Sequence, residues 1–148
     1  MADYSAIAEQ TVNGGGPIIF TESPTPCGRG MVLHRDGTGT FLLKGVTKCP
    51  RRNAEYSVMV GANVAIPEEG TVGPITVGVA IDGTVIPASI MEVTPTVAGA
   101  YTAISKMVDV PIWAGCCEMV SIVNTGADPI LVKQADVEFT RPDLLVSR

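Results

Sequence analysis

This chain of 148 residues predicts an all-β sandwich or barrel, and three observations carry that prediction. Short strand patterns recur between turn signals from about Ile18 to Phe139. Sixteen Gly and eleven Pro suit frequent tight turns better than helices. Residues 74–91 set two alternating apolar runs around Asp82-Gly83. A type I′ turn needs positive φ at both central residues, which Asp-Gly tolerates best, so this unit reads as a hairpin. Folds of this kind more often bind, assemble or coat than catalyse.

The elements follow in order. Residues 1–16 are polar to mildly apolar, end in Gly14-Gly15-Gly16 and read as an N-terminal arm or linker with a flexible hinge. No Gly-Lys-Ser/Thr follows the triplet, which excludes a phosphate loop. The domain proper spans 17–141. Its strands are read at 17–22, 31–35, 40–44, 54–66, 75–81, 84–94, 100–110, 116–123 and 130–140. Asp36-Gly37 is a second hairpin signal. Pro95, Pro111 and Pro142 each end a strand, and 142–148 is a C-terminal tail. About nine or ten antiparallel strands result, with no convincing helix.

Charged residues make up only 17% of the chain and apolar ones 46%, while aromatics are 5%. The core must be filled by Val, Ile, Ala and Met. So few charges leave apolar surface for a neighbouring copy to cover. The net charge of −5 disfavours a phosphate-binding surface. The one basic cluster, Lys48 to Arg52, reads as a solvated loop. No nucleic-acid partner and no membrane partner is expected. No apolar stretch approaches the 18–20 or so residues a membrane span needs, and the first ten residues lack the marks of a signal peptide, so synthesis in a cytoplasm is expected.

The strand at 54–66 says most about function. Tyr56, Val58, Val60, Ala62, Val64 and Ile66 share one face, and Met59, Gly61, Asn63 and Ala65 share the other. Neither set carries a charge. A strand wetted on one side would show Lys, Glu or Thr there. Met59, Gly61, Asn63 and Ala65 are therefore the subunit-interface candidates.

Catalytic constellations are weak. His34 is the only His, lies beside a turn and reads as structural. Glu68-Glu69 reads as turn solubilisation. Asp136 and Glu138 share a strand face, read as an outward polar face or an inter-subunit contact. Trp113, the only Trp, reads as packing at a sheet end. Cys27, Cys49, Cys116 and Cys117 lack a zinc-site spacing and read as small reduced hydrophobes, with a Cys27–Cys49 cross-link as the alternative. No catalytic, cofactor-binding or metal-binding residue, and no cofactor, is assigned.

Four segments carry a resemblance: Leu33-His-Arg-Asp-Gly-Thr-Gly, Tyr56-Ser-Val-Met-Val-Gly-Ala-Asn-Val-Ala-Ile-Pro, Gly99-Ala-Tyr-Thr-Ala-Ile-Ser, and Val110-Pro-Ile-Trp-Ala-Gly-Cys-Cys-Glu-Met-Val-Ser-Ile-Val-Asn-Thr-Gly. With the turn placement, they resemble the jelly roll of tumour-necrosis-factor and C1q-type trimers, and domains of bacteriophage and prophage virion proteins. The resemblance implies a homotrimer of jelly rolls around an apolar axis. It implies a non-enzymatic virion surface protein, a capsid decoration or cementing protein or a head-fibre knob. The major capsid protein or another virion protein would be gripped through residues 1–16. The alternative it leaves open is a receptor- or carbohydrate-binding adhesin at a tail tip or cell surface, with a host-surface glycan as partner. Without a collagen-like repeat or heptads, a compact knob on the virion surface is expected rather than a long fibre.

Overall fold

The computed structural model describes residues 2–25, 31–45, 53–113 and 117–141. Among them run twelve strands: β1 (Ala2–Ala6), β2 (Gln10–Val12), β3 (Glu22–Thr25), β4 (Val32–His34), β5 (Thr40–Lys44), β6 (Asn53–Ala65), β7 (Ile75–Ile81), β8 (Thr84–Val85), β9 (Met91–Val93), β10 (Thr102–Trp113), β11 (Cys117–Asn124) and β12 (Ile130–Thr140). The one helical piece among these residues is a 3₁₀ turn at Pro87–Ser89.

The strands form two antiparallel sheets. The larger runs β10-β6-β12-β1-β3, with β2 beside β12; the smaller runs β4-β5-β11-β7-β8, with β9 beside β7. Period-two alternation sends one side of each sheet inward. Val58, Val64, Val110, Ile112, Val137 and Phe139 meet Phe41, Leu43, Val77, Val120 and Ile122 in a core that excludes water. An aromatic group thickens one part of it: Phe41 lies 5.0 Å from Tyr4, 5.3 Å from Phe20 and 4.9 Å from Phe139, centroid to centroid. Tyr56 spans the sandwich, its hydroxyl 2.7 Å from the Lys44 carbonyl and 3.1 Å from that of Met31. The chain is a jelly-roll β-sandwich, as predicted.

The Asp-Gly turns form as expected. Asp82 and Gly83 take φ of 50° and 85° and pair Ile81 with Thr84. Gly37 has φ of 90°, and β4 and β5 pair antiparallel across that turn.

Several expectations give way. Residues 1–16 are not a free arm. β1 lies between β12 and β3, and Ala2, Tyr4, Ala6 and Val12 are core residues. The alternation Ala2-Tyr4-Ala6 supplies an apolar face that the sandwich buries. Gly14–Gly16 is a tied turn rather than a hinge: the Gly15 N–H donates to the Asn124 carbonyl (2.8 Å) and that of Gly16 to the Asn13 carbonyl (2.8 Å).

Residues 17–22 are not a continuous strand but a crossover. The Ile18 N–H donates to Ile122 in the smaller sheet, and that of Thr21 to Ser5 in the larger. The expected strand 84–94 is split in two at Pro87, where the 3₁₀ turn intervenes. Pro111 does not end β10. That strand is the sheet's edge, where a missing N–H leaves no ladder bond unmade.

Candidate functional site

Two outward surfaces and one cleft are candidates, and the long β6–β10 pairing builds the first. The register sets Met59 opposite Met107, Gly61 opposite Ser105 and Asn63 opposite Ala103. Each pair points away from the core, because the alternate positions Val58, Val60, Ala62 and Val64 point into it. Met59 is 44% and Met107 58% exposed, side by side. Of the four interface candidates, Met59, Gly61 and Asn63 lie on this outer face. Ala65 is wholly buried and takes no part in it.

Gly61 is the unusual member. It is absent from the residues with positive φ, and a Cβ there would come no closer than 3.9 Å to any neighbour. Neither the backbone nor packing inside the subunit calls for glycine. Glycine in a strand interior weakens it and often marks a close approach by something else. Gly78 on β7 is the contrast. A Cβ there would press on Ile90, Thr125 and Val85 at 3.2–3.3 Å. The chain's own 84–93 excursion covers that side of β7, whereas the Met59 side of β6 stays open.

On the β12 side the strip is bordered by carboxylates. Asp3 pairs with Glu138, and Asp136 with Ser5. On their other side Glu138 pairs with Met59 and Asp136 with Gly61. Burial pushes the Asp136 carboxyl up to about 7, helped by a hydrogen bond with Asp3 and the charges of Asp3 and Glu138. One Asp3 oxygen is buried without a hydrogen-bond partner. A bulge between Lys133 and Asp136 keeps both residues outward, with Gln134 at φ 50°. The Asn63 amide donates to the Gln134 side chain (2.7 Å). Beyond it, Tyr101 donates to Glu9 and lies under the Lys133 ammonium, 4.0 Å from the ring centre. Burial, then the bond to Glu9, pushes the Tyr101 phenol up to about 12. Met107 had a legible signal: Ala103, Ser105 and Met107 repeat the small, neutral outer pattern of β6.

The second surface lies on the opposite sheet. Leu33, Leu42 and Met119 stand in one cross-strand row over β4, β5 and β11. Leu33 is 45% and Met119 41% exposed. The third candidate is a cleft of about 500 Å³ at one end of the sandwich, lined by residues that include Glu69, Thr71, Thr76, Asp128 and Pro129. Asn124 stiffens its wall, donating to the Asp128 (2.8 Å) and Val12 (3.2 Å) carbonyls and accepting from the Gly126 N–H (3.0 Å).

His34 has a structural role. Its side chain is buried and stacks on Phe41 with centroids 4.2 Å apart. Nδ1 lies 2.9 Å from the Thr40 carbonyl and Nε2 3.2 Å from that of Phe20, so neither nitrogen is aimed at a nucleophile. Cys117 is disulfide-bonded, which overturns its reading as a reduced thiol. Cys27, Cys49, Cys116, the Lys48–Arg52 cluster, the Trp113 side chain and the 142–148 tail lie outside the described residues.

No family model matches the sequence, and a search of curated proteins finds no match. Solved structures do match in shape. The globular domain of zebrafish complement 1qA superposes with a TM-score of 0.52 at 8% identity, over 93% of this chain and 94% of that one. The sugar-binding C-terminal domain of EclA reaches 0.38 at 12% identity, over 90% and 79%. CBM35 from Paenibacillus barcinonensis reaches 0.37 at 16% identity, over 93% and 97%. Scores under 0.5 fall short of a shared fold, so the fold assignment rests on the first. Together with the two-sheet topology, it gives this chain the C1q-like jelly-roll fold.

Proposed function

We propose that this domain is a non-catalytic assembly module whose copies meet through the outer face of the larger sheet, along Met59, Gly61, Met107 and Ser105. The observation that carries this reading is Gly61. It is a mid-strand glycine in the longest strand, beside two open methionines, that nothing inside the subunit requires. A second backbone approaching the sheet would require it. The number of copies, three, and the setting, a virion surface as a capsid decoration or head-fibre knob, come from the resemblance of the four segments described above. With residues 2–6 and 10–12 built into the sheet, a capsid contact falls to surface other than a free arm.

Sedimentation of the full chain at micromolar concentration tests the reading. The expected result is a trimer that Met59→Lys and Met107→Lys each dissociate, because each puts a long, strongly hydrated ammonium where the second copy must pack. Met119→Lys, on the opposite sheet, should leave the trimer intact. A wild-type monomer would sink the proposal. Immunogold labelling of particles tests the virion setting.

A second reading is favoured by the end cleft, whose carboxylates, threonine hydroxyls and proline rings suit a polyhydroxylated ligand such as a surface glycan. Hits on a glycan array that Asp128→Ala abolishes would support it.

A further inference from the structure

We infer that the carboxylates of Asp3, Asp136 and Glu138 make this self-contact proton-dependent, so that it closes as the medium acidifies and opens as it becomes alkaline. The inference rests on the reading that copies meet through the outer face of the larger sheet.

The geometry comes from register. Asp3 and Glu138 are directly opposed, an arrangement that destabilises neighbouring strands when both groups are ionised. Asp136 stands one step along, between Ser5 and Gly61, and Glu138 between Asp3 and Met59. The trio therefore adjoins the very residues proposed to be covered. Other strands of this face bring acid too: Glu22 from β3, opposite Ser5; Glu55 and Asp109 at the far end of β6 and β10, in register with Pro111 and Ser57. Lys133 is the one cation that register puts on this face among the described residues, and it is engaged over the Tyr101 ring. Arg141 lies instead over Tyr56, on the core side of β6.

Covering the strip with a second copy removes water from these carboxylates. Ionised groups of one sign in a drier site repel more strongly and lose hydration, so the covered state favours the protonated form. The free subunit already leans this way: burial, then the hydrogen bond with Asp3, holds the Asp136 proton up to about 7, and one Asp3 oxygen is buried without a hydrogen-bond partner. Covering the face raises that proton affinity further. Assembly then takes up protons, and linkage requires it to strengthen as pH falls.

The test is sedimentation velocity of the full chain at about pH 5.5 and about pH 8.5, with circular dichroism at each to show that the fold persists. For one proton taken up per contact, the association constant falls about tenfold per pH unit above neutrality. Wild type should be assembled at the lower pH and shift toward the single subunit at the higher. Asp136→Asn, which keeps the shape and removes the charge, should remain assembled at both. Glu138→Gln should narrow the difference. Equal association of wild type at both values, or an Asp136→Asn protein that dissociates as wild type does, overturns the inference while leaving the contact itself standing. A single subunit at both values removes the contact, and the inference with it.

Discussion

Asp136 holds its proton in the folded chain at pH values where a free carboxyl has lost it, with burial the first cause and Asp3 the second. The consequence for stability has a definite sign. Well below the ordinary value of 3.8 both folded and unfolded chains are protonated and the group is neutral to stability. Between there and about 7 the folded chain binds more protons, so stability falls as pH rises through that window and stays low above it. Under dissociating conditions, the melting temperature should be higher near the acid end of this window than above neutrality. Asp136→Asn should flatten the dependence; an unchanged slope in that variant would assign the titration elsewhere. Gly61 makes a second prediction at this scale. Gly61→Ala relieves the strand of a glycine worth roughly 0.5–1 kcal/mol and meets no neighbour closer than 3.9 Å. It should raise the melting temperature of the subunit while weakening association, two effects of opposite direction that a merely structural glycine would not produce. Both residues stand out in the sequence, Gly61 on the uncharged outer face of its strand and Asp136 beside Glu138 on one strand face. The Asp3–Asp136 contact joins residues 133 positions apart, and nothing local announces it.

Individual elements show where local chemistry decides and where it is overruled. Asp82-Gly83 and Asp36-Gly37 turn as their backbones dictate, and β5, β7 and β12 run over the residues that period-two alternation marks out. The strand read at 84–94 fails for a local reason that was also readable: Pro87 has no N–H to give to β7. The gap is closed by Ser89, whose buried hydroxyl accepts the Val79 N–H (2.8 Å) and donates to the Ile86 carbonyl (2.6 Å). Ser89→Ala should destabilise the fold by about 1–3 kcal/mol, the penalty for a buried donor left unpaired, measurable by denaturant unfolding. β10 passes through Pro111 because it is an edge, and edge position is a property of the sheet rather than of the strand. Small, neutral outer faces on β6 and β7 look alike as sequence. The 84–93 excursion covers one of them and leaves the other open.

For the whole molecule, the largest departure is at the N-terminus. A segment read as a free arm is a central strand, with β12 on one side and β3 on the other. Deleting residues 1–9 should therefore abolish cooperative folding, observed as loss of the thermal transition, where removal of a true arm would leave it unchanged. Retention of a wild-type melt would contradict the pairing of β1. Composition and alternation alone determined that this chain is an antiparallel sandwich with tight Asp-Gly turns and an uncharged outer strip at Met59–Asn63, because those features follow from φ preferences and a two-residue period. Which strands neighbour one another, which faces the chain covers for itself, and which carboxylates end up side by side were decided only by the tertiary structure. Those depend on contacts between residues far apart in the chain, and alternation carries information about a strand's sides but none about what lies beside it.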